Sequence, residues 1–187
     1  MTRIALLRHG ETAWSAAGRI QGRTDIPLLK DLSIKLPAAC AGMRIVTSPL
    51  QRCVQTAALI GAPDAAREPR LIEMHWGDWE GESFLGLRER FGEDMRANEA
   101  RGLDFRPANG ESPREVRERV RGWLREVALA QQATLAVTHR GVIRAILSDA
   151  FGWDMLGKPP AKLAWDAVHL FTLDASGAPR VDQLNVK

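Results

Sequence analysis

Two of the four histidines in this sequence stand where a short apolar run gives way to a glycine-containing segment. His9 lies in the segment RHGET, residues 8–12, and His139 lies in the segment THRG, residues 138–141. Imidazole can serve near neutral pH as a nucleophile or as a general acid or base. A single histidine in such a setting is more often a cap or a packed residue. Two histidines with the same setting favour a shared chemical site.

Arg52 is a third candidate, because it falls in the first turn of a predicted helix. A cation there opposes the helix dipole, at a cost of about 0.3–1 kcal/mol where it is exposed. One interpretation is a side chain that points into solvent. The other is that an anion binds at this helix end, held by backbone N–H groups and the guanidinium together. The position alone does not choose between them.

Acidic and aromatic residues are dense in the segment LIEMHWGDWEG, residues 71–81. A carboxyl group beside a tryptophan can have its pKa raised by desolvation, and that suits a general acid. Glu73, Asp78 and Glu80 all meet this description, and the periodicity of the segment does not select one of them.

The elements that would position these residues alternate between strand and helix patterns, which predicts an α/β protein. Residues 4–7 form a continuous apolar run typical of a strand buried on both faces. Residues 43–47 and 134–138 predict two more strands, and 168–173 and 181–186 predict late strands. Ligands of open α/β sheets bind beyond the carboxyl ends of the strands, which is where His9 and His139 stand.

Helix signals lie between these strands. Ser48-Pro49 resembles an N-cap followed by proline at the first helical position, and predicts a helix over 49–60. Ser112-Pro113-Arg114-Glu115 has the pattern of a capping box and opens a long amphipathic helix. Residues 82–102 are expected to be helical in part, and a last helix is expected from His139 to about Phe151.

Composition excludes several classes of protein. The chain has 187 residues and a net charge of +3, which favours one globular domain over residues 1–187. No apolar run approaches the roughly 18 residues of a membrane span, and the first residues do not resemble a signal peptide. Two cysteines do not make a disulfide framework. We therefore expect a cytoplasmic protein with no membrane partner.

Arginine is unusually frequent, with 21 arginines against 5 lysines. Arginine is favoured for forked recognition of phosphate and carboxylate groups. The small net charge and the alternation of basic residues with Glu115 and Glu118 indicate a solvated helix face and not a nucleic-acid surface. No nucleic-acid partner is expected.

The ordered motifs together resemble the histidine phosphatase superfamily, also called the phosphoglycerate mutase-like family. The segment 8–12 resembles its signature, and 18–22 is similar to its GR-x-QG block. Further similarity lies in SPLQRCVQTA at 48–57, in residues 71–81, in GES at 110–112 and in VTHRGVIR at 137–144. These six ordered blocks cover essentially the whole chain.

This resemblance implies roles for individual residues. His9 would be the nucleophile that forms a phosphohistidine, and Glu73 would protonate the leaving oxygen and then activate water. Arg8, Arg52 and His139 would surround the phosphoryl oxygens and neutralise their charge. Ser15, Gln21 and Gly22 would contribute to phosphate binding, although the family commonly has Asn where Ser15 stands. Neither a metal nor a cofactor is implied.

The resemblance also implies a fold and an activity. We expect a three-layer α/β sandwich with a mostly parallel central sheet, helices on both faces and a small cap insertion at about 74–111. The GDWEG segment and the modest cap favour hydrolysis of small phosphate esters over mutase chemistry. The pattern is similar to that of the α-ribazole phosphatases, with sugar phosphatases nearly as similar. α-Ribazole-5′-phosphate or a sugar phosphate is therefore the expected substrate.

Two other hypotheses stay beside this one. The chain could be a phosphoglycerate mutase, which isomerises 3-phosphoglycerate faster than it releases phosphate. It could also be a non-catalytic module that uses the phosphate pocket for docking, although all five catalytic positions are present. We also expect a trimmed first helix between Pro27 and Ser48. A homodimer through the edge of the late strands is considered, with the oligomeric state left open.

Overall fold

The computed structural model describes residues 1–29 and 34–187, and the described residues build one six-stranded sheet. The strands lie in the order β3-β2-β4-β1-β5-β6. Their bounds are β1 Thr2–Arg8, β2 Arg44–Thr47, β3 Ala66–Arg67, β4 Thr134–Thr138, β5 Val168–Leu173 and β6 Pro179–Val186.

Three neighbouring strand pairs are parallel and two are antiparallel. β1 pairs in parallel with β4, β4 with β2 and β2 with β3, whereas β5 runs antiparallel to both β1 and β6. All five residues of β4 are buried, which explains its uninterrupted apolar and threonine sequence. The parallel pairing brings the carboxyl ends of β1, β2 and β4 to one edge of the sheet.

Five helices connect or flank the strands of the described residues. Their bounds are α1 Ala13–Ala16, α2 Gln51–Leu59, α3 Phe84–Glu99, α4 Pro113–Ala130 and α5 Arg140–Phe151. Short 3₁₀ turns occupy Ala38–Cys40, Pro69–Leu71, Gly77–Trp79 and Gly102–Asp104. No helix among the described residues combines the length and apolar character that crossing a bilayer requires.

The alternation of side chains along β1 assigns the helices to two faces of the sheet. Ile4 and Leu6 point into a core built with α4 and α5, whereas Ala5 and Leu7 point into a core built with α2. Burial on both faces stabilises the central strand by removing apolar surface from water on each side. The predicted architecture, a mostly parallel sheet between two helical layers, is confirmed.

The long helix α4 begins where the capping-box pattern predicts. The Ser112 hydroxyl accepts a hydrogen bond from the Glu115 N–H, and the Glu115 carboxylate accepts one from the Ser112 N–H. These two bonds satisfy donors that would otherwise lack partners at the helix start. Val116, Val120 and Leu124 are buried on the face that packs on the sheet.

The predicted start of α2 was wrong by two residues. The N-cap is Leu50, not Ser48, and Pro49 lies outside the helix. The reason is that the Ser48 N–H continues the pairing of β2 with β4 by donating to the Val137 carbonyl at 2.9 Å. The chain therefore stays extended through Ser48, and the helix begins later.

Residues 77–104 hold α3 and two of the 3₁₀ turns, and they contribute to a small apolar cluster that is separate from the two cores on the sheet. It consists of Ile20, Trp79, Leu87 and Met95, with Trp76 and Phe105 packed against it. α3 is broken at Gly92, whose φ of 48° is a backbone conformation that favours glycine. The cap insertion at 74–111 and the single domain over 1–187 stay predictions, because packing alone does not define where an insertion or a domain begins and ends.

Between Pro27 and Ser48, the helix found in the described part is the 3₁₀ turn at 38–40. The predicted trimmed first helix falls partly on residues 30–33, which lie outside the described residues. At the opposite end of the sheet, β6 is an edge strand, which is the element that the considered homodimer would use. The oligomeric state stays a prediction.

Candidate active site

The sheet brings the two predicted histidines together. Arg8 and Thr138 are register partners at the ends of β1 and β4, and His9 and His139 follow them directly. The His9 N–H donates to the Thr138 carbonyl at 3.0 Å, so the backbones stay joined one residue beyond the strands. The centres of the two imidazole rings are 5.2 Å apart.

His9 is held in a defined tautomer. Its Nδ1 lies 2.6 Å from the Gly10 carbonyl oxygen, which can only accept, so Nδ1 carries the proton. Nε2 is therefore the ring nitrogen with an available lone pair. Burial, followed by the charges of Arg52 and Arg8, lowers the pKa of His9 well below its ordinary value. The ring is consequently neutral at pH 7, as a nucleophile must be.

Arg52 lies in the first turn of α2 and is fully buried. Its two terminal nitrogens donate to the Gly22 carbonyl at 2.7 Å and to the Thr24 carbonyl at 3.1 Å. Its Nε is buried and has no hydrogen-bond partner among the described residues. The interpretation in which Arg52 points into solvent is wrong, because its side chain is fully buried. A buried cation without a carboxylate partner is costly, and an anion bound here would offset that cost.

Glu80 fixes the loop that holds Arg52. Its carboxylate accepts hydrogen bonds from the N–H groups of Arg23 and Thr24, each at 2.8 Å, and from the Thr24 hydroxyl at 2.5 Å. Burial alone would raise the pKa of Glu80, but these hydrogen bonds lower it overall. Gly22 is required here, because a Cβ at this position would collide with the Glu80 carboxylate. Glu80 is therefore a positioning residue and not the acid.

Glu73 is the one of the three acids that lines the cavity. It is 5% exposed and lines the same cavity as His9. Its carboxylate accepts hydrogen bonds from the N–H groups of Met74 at 2.8 Å and Gly141 at 3.2 Å. Burial raises its pKa above the ordinary value, although these N–H groups act in the opposite direction. Asp78, in contrast, is exposed and accepts a hydrogen bond from the Asn109 amide.

His139 is fully buried beneath His9 and is the N-cap residue of α5. Its Nε2 is 2.7 Å from the Ser48 hydroxyl and 3.4 Å from the Cys53 sulfur. Burial, followed by the charge of Arg52, lowers its pKa well below the ordinary value. The lowered pKa favours the neutral form of the ring, which can donate one hydrogen bond, and the positive charge that the resemblance implies stays a prediction. A phosphoryl group nearby would raise its pKa.

Arg8 and Gln21 present donors with no partner among the described residues. The Arg8 Nε and the Gln21 Nε2 are buried and unpaired, and both side chains line the cavity. The Gln21 carbonyl oxygen accepts a hydrogen bond from the Thr12 hydroxyl at 2.5 Å. Binding of an anion by Arg8 and Gln21 stays a prediction.

Ser15 and Gly22 have different surroundings from those the resemblance implies. The Ser15 hydroxyl accepts from the Thr12 N–H at 2.9 Å and donates to the Thr12 carbonyl at 3.1 Å, within the cap of α1. Gly22 uses its carbonyl to hold Arg52. Direct phosphate contacts from these two residues stay predictions.

The cavity above His9 measures about 1340 Å³. Arg8, His9 and Glu73 line it, whereas Arg52 and His139 are fully buried. Its remaining walls come from the loops after β1, from the cap around Trp76 and Phe105, and from α5. No group of three or more potential metal-ligating His, Cys, Asp or Glu side chains occurs within residues 1–29 and 34–187.

Sequence reasoning missed two supports of this site. Ser48 was interpreted as a helix cap, but its hydroxyl contacts His139. Glu80 was weighed only as an acid, but it orders the loop whose carbonyls hold Arg52. Neither role follows from spacing, because each depends on a contact between segments distant in the chain.

Comparison with known proteins decides the family. The family model described as histidine phosphatase superfamily, branch 1, matches residues 4–186. The chain belongs to the histidine phosphatase superfamily. The motif-based resemblance is thereby confirmed across nearly the whole chain.

Similar proteins within the histidine phosphatase superfamily include a phosphatase and a probable mutase. A protein of Arabidopsis thaliana described as a metal-independent phosphoserine phosphatase is 32% identical over 161 residues, covering 78% of this chain and 67% of that protein. A probable phosphoglycerate mutase of Cronobacter sakazakii is 37% identical over 134 residues, covering 66% of this chain and 62% of that protein. The solved structure of Bacillus stearothermophilus YhfR matches at 25% identity with a TM-score of 0.83, covering 100% and 98% of the two chains.

These similarities assign this member of the histidine phosphatase superfamily to the phosphatase-type enzymes that act on small phosphate esters. The specific ester and the roles of single residues are a separate question.

Proposed function

We propose that the protein is a phosphomonoesterase that works through a phosphohistidine on His9. The observation that carries this proposal is the 2.6 Å hydrogen bond from His9 Nδ1 to the Gly10 carbonyl, because it leaves Nε2 as the unprotonated nitrogen. The lowered pKa of His9 keeps that lone pair available.

In the first step, the Nε2 lone pair attacks phosphorus and the bond to the ester oxygen breaks. Glu73, protonated because burial raises its pKa, gives its proton to the departing oxygen, so an alcohol leaves. Arg8, Arg52 and the neutral His139 donate hydrogen bonds to the phosphoryl oxygens, where negative charge is concentrated in the transition state.

In the second step, water attacks the phosphorus of phosphohistidine and the phosphorus–nitrogen bond breaks. The Glu73 carboxylate takes a proton from that water, which returns it to its protonated form and releases inorganic phosphate. Both steps proceed with groups of this chain alone, and the arginines supply the positive charge that a metal ion supplies in other phosphatases.

The first experiment tests the nucleophile. His9→Ala removes Nε2 and should abolish phosphate release from p-nitrophenyl phosphate, a loss of at least about 10³-fold in kcat, measured with a chelator present. The control is His75→Ala, a histidine outside this cavity, which should retain activity. Quenching with denaturant at alkaline pH during turnover of a labelled ester should trap a phosphoenzyme in the wild type, and its label should be released by acid. Full activity of His9→Ala would refute the proposal, and complete inactivity of the wild type would favour the docking module.

The physiological ester is open within this class. α-Ribazole-5′-phosphate and sugar phosphates follow from the motif resemblance, and phosphoserine is the ester named for the Arabidopsis relative. A panel of these esters, compared by kcat/KM, ranks them directly.

Mutase activity is the second candidate, because the Cronobacter relative is described as a probable phosphoglycerate mutase. A mutase must shield its phosphoenzyme from water while the substrate reorients. Incubation with 3-phosphoglycerate separates the two activities: phosphate release faster than isomerisation supports the phosphatase, and the reverse order overturns it.

A further inference from the structure

Two arginines at the start of α5 line the same cavity as His9 without entering the proposed mechanism. Arg140 and Arg144 are four residues apart and therefore share one face of the helix. The Arg140 guanidinium lies 4.9 Å from the centre of the Trp165 ring, and the Arg144 guanidinium lies 5.4 Å from the centre of the Trp153 ring. Stacking on a ring orients a guanidinium and leaves its N–H edge available.

The Trp165 ring that contacts Arg140 also lies near Arg8, the residue directly before His9. The Arg8 guanidinium lies 5.9 Å from the centre of the same ring. Arg8 and Arg140 thus share the Trp165 ring, and Arg144 follows one helical turn after Arg140 on the wall of the same cavity. We call these three residues the arginine row.

The arginine row makes no ion pair with a carboxylate of the described residues, although the charge of Glu73 acts to raise the pKa of Arg8. No Asp or Glu among residues 1–29 and 34–187 forms an ion pair with Arg8, Arg140 or Arg144. Two acids that line the cavity are engaged elsewhere: Asp166 binds Lys187 at 2.7 Å, and Glu99 binds Arg88 at 2.7 Å.

The remaining cavity acids are Glu11, which is exposed, and Glu73, whose carboxylate already accepts two backbone N–H groups. By contrast, Arg114, Arg119 and Arg121 on α4 each bind a carboxylate at 2.8 Å or less.

Mutual repulsion within the row is evident. Burial lowers the pKa of Arg8 and of Arg144, and the charge of Arg140 lowers both further. Unpaired cations held together beside a cavity are stabilised by an anionic ligand, since such a ligand removes the repulsion and satisfies the N–H groups.

The size of the cavity leaves room for more than one phosphoryl group. At about 1340 Å³ it exceeds the roughly 300–1,000 Å³ of sites that hold drug-sized ligands. The arginine row lines this cavity together with His9, so an ester whose phosphoryl group binds at His9 shares the cavity with it.

We propose that Arg140 and Arg144 form a second anion subsite, so that the preferred substrates are phosphomonoesters whose alcohol portion carries a carboxylate or a second phosphate. This inference rests on the proposed function, because it takes the phosphoryl group to bind at His9. Arg140 and Arg144 are specificity-determining residues in this scheme, and Arg8 connects the two subsites.

The test compares substrates that differ in one charged group. Phosphoserine differs from phosphoethanolamine by its carboxylate, and 3-phosphoglycerate differs from glycerol 3-phosphate in the same way. Fructose 1,6-bisphosphate against fructose 6-phosphate tests a second phosphate. The wild type should favour the more anionic member of at least one pair by about tenfold in kcat/KM, mainly through KM. The pair with the largest ratio identifies carboxylate or phosphate as the group bound.

Removing the charge of Arg140 or of Arg144 should abolish the preference for the more anionic substrate. In Arg140→Gln and Arg144→Gln the ratio within the favoured pair should fall toward one, and Arg140→Lys should restore part of it by keeping the charge. The control is Arg125→Gln, an exposed arginine of α4 outside the cavity, which makes the same change in net charge and should keep the wild-type ratio. A merely solvated Arg140 would behave like Arg125.

A binding measurement separates this inference from the proposed function. Calorimetry on His9→Ala protein should give phosphoserine a Kd about tenfold below that of phosphoethanolamine, or an equivalent difference in another pair, without any turnover. Equal affinities and equal kcat/KM values in all three pairs overturn the second subsite while leaving the phosphatase intact. An anion preference in binding with no hydrolysis of any ester supports the subsite and overturns the proposed function.

Discussion

At the residue scale, the division of labour among three acids follows from their hydrogen bonds. Glu80 accepts from several donors that hold a loop, Asp78 is exposed beside Asn109, and Glu73 is buried with its pKa raised. A raised pKa lets a carboxyl group hold its proton to higher pH, which suits it to protonate a leaving oxygen. The sequence alone allowed all three, because burial and partners are properties of the folded chain.

Glu73→Gln should therefore affect esters according to their leaving groups. For alkyl phosphates, whose leaving oxygen needs a proton, kcat/KM should fall by about 10²–10⁴-fold. For p-nitrophenyl phosphate the fall in kcat/KM should be much smaller, although kcat should fall for both because water attack also uses Glu73. The contrasting variant is Glu80→Gln, which disturbs the Arg52 loop and should slow both esters alike. Equal losses in Glu73→Gln would assign the proton to another group.

The pH profile gives the same variant a second readout. Because Glu73 must be protonated in the first step, kcat/KM for alkyl esters should decline as the pH rises through its raised pKa. Glu73→Gln has no such proton to lose, so that alkaline decline should disappear. A decline that persists in the variant would belong to a different residue.

At the element scale, the first turn of α5 packs directly against the carboxylate of Glu73. The Gly141 N–H donates to the Glu73 carboxylate, and a Cβ at this position would collide with the same carboxylate. The glycine is needed for this close approach and not for its backbone angles. Helix α5 thus positions His139 at its N-cap, Glu73 through Gly141, and Arg140 and Arg144 on its first turns.

Gly141→Ala should consequently separate stability from catalysis. Alanine favours a helix over glycine by about 1 kcal/mol, which offsets part of the strain in the fold. The displaced Glu73 should lower kcat/KM for alkyl phosphates by at least about tenfold, with a smaller loss for p-nitrophenyl phosphate. The matched control is Gly122→Ala within α4, where the nearest atom to an added Cβ is an arginine nitrogen at 3.7 Å. That variant should gain stability and keep full activity.

The elements differ in how well sequence patterns predict them. α4 was predicted at its first residue, because its capping box is a local signal that local hydrogen bonds satisfy. The start of α2 was predicted two residues early, because the Ser48 N–H bonds to β4 instead of opening the helix. Local chemistry therefore predicts an element end only where no distant strand competes for the same groups.

At the scale of the whole molecule, the strand order needed contacts that no local pattern contains. The apolar runs predicted five strands, but β1 lies between β4 and β5, which begin 130 or more residues later. The motifs predicted a residue list for the site because they are ordered along the chain. Its supports, Ser48 and Glu80, were not predicted as such, because they depend on that long-range pairing.

The buried site also makes the stability of the whole molecule depend on pH. Folding keeps His9 and His139 neutral below their ordinary pKa of 6.5, so the unfolded chain binds more protons there, and stability must fall as the pH drops. Glu73 acts oppositely: its folded pKa lies above the ordinary 4.5, so in the interval between these values the folded chain binds the extra proton. Stability gained by Glu73 on acidification therefore offsets part of the loss from the histidines.

The slope of the unfolding free energy against pH can be tested between about pH 5 and about pH 6.5. Each histidine can contribute at most about 1.4 kcal/mol of unfolding free energy lost per pH unit on acidification, and this contribution grows as the pH falls below 6.5, while Glu73 opposes it. Glu73→Gln removes the opposing proton and should steepen the slope of unfolding free energy against pH, whereas His139→Gln should flatten it. Urea unfolding at several pH values measures all three slopes. Because the two variants are expected to move in opposite directions from the wild type, parallel slopes would show that these buried groups do not govern the acid stability of the protein.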